Sequence, residues 1–175
     1  MEKRKINAAV SLLTTVMLLI HAIFLSVWML SGGRTVKPAG FVGWILMGLV
    51  LAHALISMDL LLSAHAETEN RKGKMYPKMN VSMIVQRVSG ILMVPATALH
   101  VAGATGMMTP PPLVHVIVPP LFFTIVLSHI AVSTSKAFIT LGIGNARFIK
   151  VADIVIKVIC AATLITCVIA FNLYY

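Results

Sequence analysis

Apolar and polar residues fall along this chain in long blocks. A short basic head, Met1 to Lys5, precedes an uncharged run from Ile6 to Leu30, 25 residues long. At ~1.5 Å rise per residue about 20 apolar residues cross a ~30 Å hydrocarbon layer, so the run predicts a transmembrane helix. It exceeds the usual signal-peptide core of about 7–15 residues and no small-x-small cleavage site follows, so the helix is expected to be retained. Turn chemistry, SGGRTVKPAG at 31–40, leads to a second span broken only by Asp59. A polar loop, ETENRKGKMYPKMN at 67–80, leads to a third, and GMMTPPP at 106–112 turns the chain into a fourth. Pro119 and Pro120 there predict an early kink or a delayed regular start. LGIGNARFIK at 141–150 precedes the fifth span, whose first turns carry Asp153 and Lys157 at i,i+4. The fold class expected is an all-α integral membrane protein, one transmembrane domain over 1–175 with helices at about 6–30, 41–64, 81–104, 113–135 and 151–173.

Composition agrees. Hydrophobic residues make up 59% and charged residues 11%, against about 45–50% and about 25% in soluble domains, and mean hydropathy is +0.97. A net charge of +9 would suit a nucleic-acid binder, but the cations lie between apolar spans with no polar domain to carry them. The charge therefore reads as topology, with the lipid membrane as partner and no nucleic acid. With the basic head inside, twelve cations fall inside or at inner helix ends: Lys3, Arg4, Lys5, Arg71, Lys72, Lys74, Lys78, Arg87, Lys136, Arg147, Lys150 and Lys157. Arg34 and Lys37 alone fall outside, which predicts N-in, C-out. Trp28, Trp44, Tyr174 and Tyr175 then lie toward the outer interface as an aromatic belt. Cys160 and Cys167 are ~10.5 Å apart along one helix, too far for a disulfide.

Four histidines lie within otherwise apolar spans. His21 is sixteen residues past Lys5, ~24 Å up an outward-running helix, and His100 is ~20 Å above Arg87 on another. Both belong to the outer half. His129 lies ~10 Å short of Lys136 on an inward-running helix, and His53 lies past the middle of another, toward Asp59. The result is two pairs at two depths, His21 with His100 and His53 with His129, each from helices running the same way. One intramembrane histidine suits helix packing or a proton relay. Two matched pairs favour axial ligands of haem iron in a bundle core. Ala96, Gly103 and Ala104 would leave room for a flat macrocycle near His100, and Ser57 and Ser133, each one turn after a histidine, would orient the rings or serve as plain helix contacts. Lys136 would meet a haem propionate or simply snorkel to the interface. A rival scheme pairs His115 with His53 and His65 with His129, but neither pair is level, so His115 and His65 are read as interfacial.

The stretch QRVSGILMVPATALH, Gln86 to His100, together with His21, His53 and His129 on three further spans, resembles the single-subunit, five-helix, dihaem cytochrome b membrane anchor of succinate:quinone oxidoreductases, including succinate:menaquinone reductases and quinol:fumarate reductases. The likeness runs over nearly the whole chain. It implies a four-helix haem-binding bundle plus a fifth helix and two b-type haems. His53 and His129 would hold the proximal haem, near cytoplasmic flavoprotein and iron–sulfur subunits, and His21 and His100 the distal one. It also implies residence in a bacterial or archaeal cytoplasmic membrane and a quinone substrate, menaquinone.

The chain has no nucleophile constellation, phosphate loop or cysteine cluster, so dicarboxylate chemistry would sit on the partner subunits, with Arg71–Lys78 and Arg147–Lys150 as docking surfaces. Lys136 and Arg87 are the candidate propionate contacts. Gln86, Ser89 and Asp59 are the candidate inner polar or quinone site, and Asp59 would otherwise pair with Arg87 or Lys136. All five acidic residues fall inside or in the inner half, unlike relatives with a glutamate near the distal haem, so an outer quinone site would rely on His115, threonines or water. Two other readings remain: a small proton-coupled transporter using the histidines and Asp59, although no inverted repeat is visible, and a haem-free anchor.

Overall fold

The computed structural model describes residues 2–32, 38–69, 81–105, 107 and 112–174, without the side chains of 38–40, 65–69, 112–116 and 174. The side chains of His65 and His115, the cations Arg34, Lys37, Arg71, Lys72, Lys74 and Lys78, and Tyr175 lie outside the described residues, as does the Tyr174 side chain. Five helices follow one another: α1 (Glu2–Leu30), α2 (Pro38–Glu69), α3 (Val81–Ala104), α4 (Pro112–Leu141) and α5 (Ala146–Tyr174). All five are long and apolar enough to cross a membrane, making this a multi-pass membrane protein.

Four helices overrun the expected bounds. α1 takes in Glu2–Lys5, α2 begins at Pro38 and runs on to Glu69, α4 continues to Leu141, and α5 starts at Ala146. Hydropathy marks where hydrocarbon ends; Lys, Glu, Arg and Ala are good helix formers and carry the helix into water. The loop expected at 141–150 shrinks to 142–145. It closes as a Schellman turn: Gly142 N–H donates to Ile139 O at 3.1 Å and Ile143 N–H to Phe138 O at 3.0 Å, with Gly142 at φ 72°. Asn145 then caps α5 by accepting the Phe148 N–H at 2.9 Å. Pro119 and Pro120 lie inside an unbroken α4, which begins before them instead of after. Their fixed φ suits a helix, and each removes only one backbone donor.

The centre is a trio. Among the described residues α1, α4 and α5 pack against one another, α2 touches α1 alone and α3 touches α4 alone. The fifth helix is thus central, and α2 and α3 are flanking arms. The core, Val126, Leu127, Ile130 and Cys160, joins α4 to α5, with Leu18 and Leu19 of α1 against it. Large apolar side chains face outward, Phe41 at 74%, Leu55 at 63% and Val158 at 63% exposure, which is the arrangement for a hydrocarbon solvent.

Polar clasps cluster at the end of the bundle where Lys3–Lys5, Lys136 and Arg147 lie, called here the basic end. Lys3 Nζ pairs with Asp59 Oδ2 at 2.9 Å and Asn7 Nδ2 donates to Ser57 Oγ at 3.1 Å, joining α1 to α2. Lys136 Nζ donates to Gln86 Oε1 at 2.6 Å, joining α4 to α3. Other hydroxyls bond their own helix, as Thr14 to Val10 O at 2.7 Å and Thr134 to Ile130 O at 2.8 Å, which satisfies them without a partner helix, whereas Ser26 meets Cys167 Sγ of α5 at 3.7 Å.

Candidate functional site

Among the described residues, two cavities walled by histidines lie one above the other. The far cavity encloses about 620 Å³ and has His21 of α1 and His100 of α3 in its wall, with residues of all five helices around them. The basic-end cavity encloses about 30 Å³ and has His53 of α2 and His129 of α4 in its wall. Leu18, Val50, Met93 and Val126 line both and form an apolar septum between them. Each cavity therefore takes one histidine from α1–α2 and one from α3–α4, the grouping that depth along the spans predicts.

The rings are held by different means. His129 Nδ1 lies 3.1 Å from Gln86 O and 3.0 Å from Ser89 Oγ. A carbonyl only accepts, so Nδ1 carries the hydrogen and Nε2 keeps its lone pair, the tautomer a metal ligand needs. Ser89 donates its own hydrogen to Val85 O at 2.5 Å, leaving its oxygen to accept from the ring. His100 instead stacks on Phe122, ring centroids 4.5 Å apart and planes 5° from parallel. His21 lies against Gly43, where a Cβ would stand 3.4 Å from its Cε1, and His129 lies against Gly90, where a Cβ would stand 3.2 Å from its Cε1.

The other sequence-predicted residues divide into three groups. Gln86, Ser89 and Lys136 come together beside His129: Gln86 accepts from the ring through its backbone and from Lys136 through its side chain, and Lys136 also reaches Ser82 O at 3.4 Å. Asp59 is elsewhere. Its partner is Lys3, not Arg87 or Lys136, because α2 packs on α1 and not on α3 or α4. Arg87 is exposed and lines neither cavity. The serines expected to orient the rings also differ: Ser57 pairs with Asn7, and Ser133 donates to His129 O of its own helix at 2.6 Å, so Ser89 across the interface is the ring's partner. Ala104 lines the far cavity, whereas a Cβ on Gly103 would meet nothing within 4 Å.

Sequence reasoning missed Phe122 and the two glycines. A faint signal was present for the latter: Gly43 stands ten residues before His53, and Gly90 ten before His100.

The far cavity fits a haem. Its volume is within the ~300–1,000 Å³ of cofactor sites, its wall is mainly apolar, and it offers two imidazoles, the number of axial donors haem iron takes. At the basic end two imidazoles are present, but 30 Å³ admits only two or three waters at ~10–15 Å³ each, not a macrocycle. No protein-family model, curated protein or solved structure matches this chain.

Proposed function

We propose that this chain is the dihaem cytochrome b membrane anchor of a succinate:quinone-type oxidoreductase, conducting electrons between flavoprotein and iron–sulfur subunits and membrane menaquinone. The observation that carries the reading is the pair of stacked cavities, each walled by two histidines from different helix pairs. Bis-imidazole haem supplies one-electron transfer.

His21 and His100 would hold the distal haem, with the plane of His100 fixed by stacking on Phe122. His53 and His129 would be the donors of the proximal one, although the 30 Å³ between them does not admit a macrocycle and no step is assigned there. Ser89 and the Gln86 carbonyl keep the His129 lone pair on Nε2. Lys136, already bonded to Gln86, places a cation beside this site for a propionate. The septum of Leu18, Val50, Met93 and Val126 excludes water between the two sites while remaining one side-chain layer thick. The orientation is N-in, C-out in a bacterial or archaeal cytoplasmic membrane, which puts the basic end toward the partner subunits.

Reduced-minus-oxidised spectra with pyridine haemochrome quantification test this on the native complex. About two b haems per chain are expected, with one lost in His21→Ala. A folded complex without haem sinks the reading and leaves the transporter and the haem-free anchor, which proton-flux assays separate.

A further inference from the structure

Threonines in this bundle follow one habit, and two of them break it. Of the nine threonines whose side chains the structure describes, seven donate the hydroxyl hydrogen to the carbonyl four residues back, among them Thr14 to Val10 O at 2.7 Å and Thr105 to Val101 O at 2.8 Å. That bond is the nearest way to satisfy a hydroxyl where lipid offers no partner. Thr97 of α3 and Thr163 of α5 donate to no carbonyl among the described residues, and both line the far cavity. Lining a cavity does not by itself cause the exception. Thr105 lines the far cavity too, and Thr14 and Thr15 line the basic-end one, yet all three keep to the habit.

Thr97 stands one turn past Met93 of the septum and one turn before His100, so it shares the cavity side of α3 with that imidazole. Thr163 stands one turn before Cys167, another residue of the same wall. The remaining polarity of that wall is of other kinds. Ser26 is paired with Cys167 Sγ at 3.7 Å, Trp28 and Trp44 bring indole N–H groups, and no Lys or Arg is among the described lining residues. A haem brings two carboxylates along with its iron. Buried in an apolar cavity they need hydrogen-bond donors, and here no cation supplies them.

We propose that Thr97 and Thr163 are binding residues whose hydroxyls donate to the carboxylates of the haem in the far cavity. The proposal rests on the cytochrome reading at that cavity alone and needs nothing at the basic end. It explains why these two hydroxyls keep their hydrogens off their own helices: the hydrogens are held for the occupant.

The test is resonance Raman spectroscopy of the reduced native complex, with haem content and midpoint potential measured in parallel, for Thr97→Val, Thr163→Val and the double variant. Valine keeps the branched shape and removes the hydroxyl. The propionate bending band of a haem falls in frequency when its carboxylate loses a hydrogen bond, and the far haem's band is the one missing from His100→Ala. Each valine variant is expected to lower that band. The midpoint potential of the same haem falls with it, because a carboxylate with fewer donors keeps more negative charge near the iron and favours the ferric state. The double variant shows the largest shift, and Thr97→Ser and Thr163→Ser restore the parent values. Thr124→Val and Thr166→Val are controls: their hydroxyls bond Pro120 O and Ala162 O, they line neither cavity, and both readouts stay in place.

A far haem lost from a valine variant but kept in the matching serine variant also supports the donors, whereas loss in both alike overturns them. A far haem whose band and potential are unmoved in the double variant, or moved equally by the controls, overturns the donors and leaves the cytochrome reading intact. No haem in the parent overturns the cytochrome reading and the donors with it.

Discussion

The far cavity encloses about 620 Å³ and the basic-end cavity about 30 Å³, although each has two histidines in its wall. The far one is walled mainly by Leu, Met, Val and aromatic side chains, and its His100 is held by stacking on Phe122. The other is lined by Ser11, Thr14, Thr15 and Ser133 together with Leu18, Val50, Met93, Val126 and Ile130, and its His129 is held by hydrogen bonds to α3. The difference shows two ways to orient an imidazole in hydrocarbon. Stacking fixes the plane and leaves the ring nitrogens uncommitted, whereas a carbonyl partner also fixes the tautomer.

The largest effect is expected from removing the donors themselves. His100→Ala should cost about half of the b-haem absorbance and leave the basic-end site loaded; His129→Ala should do the reverse, as pyridine haemochrome assays with redox titration would read. Loss of both haems in either variant would break the comparison by making the cavities one cooperative site.

A smaller effect tests hydrogen bonding against stacking. Ser89→Ala removes one acceptor from His129 Nδ1 while Gln86 O remains, a loss of about 0.5–1.5 kcal/mol. Because the remaining ligand is less basic, the midpoint potential of the His53–His129 haem should rise by a few tens of mV, and that of the other should stay fixed. Ser89→Thr keeps the hydroxyl and should behave as the parent. Equal shifts in both haems would show that Ser89 acts on packing instead of on one ring.

The smallest effect belongs to the clasp that holds α2. Lys3 and Asp59 are exposed at 71% and 52%, so Asp59→Asn should lower thermal stability by less than ~1 kcal/mol and leave both haems bound. A large loss of haem would show that the clasp sets how α2 sits on α1.

The five spans and the heights of the histidines were legible in the residues because hydrocarbon demands about 20 apolar residues per crossing and a helix climbs a constant ~1.5 Å per residue. Those two regularities place His21 with His100 and His53 with His129 before any packing is known. Height says nothing of direction around a helix axis or of which helices are neighbours. Hence Ser133, one turn from His129 in sequence, looked like its partner, whereas Ser89 on α3 is the residue that touches it. Hence also the pairing of Asp59 with Lys3, the central place of α5 and the closeness of Gly43 to His21 and of Gly90 to His129. In lipid, apolar side chains gain little from being inside or outside, so the apolar pattern does not mark which face of a helix turns inward. The sequence by itself determined how many helices cross and at what level each histidine stands. Only the tertiary structure, through close packing and cross-helix hydrogen bonds, decided which way each side chain turns and what it meets there.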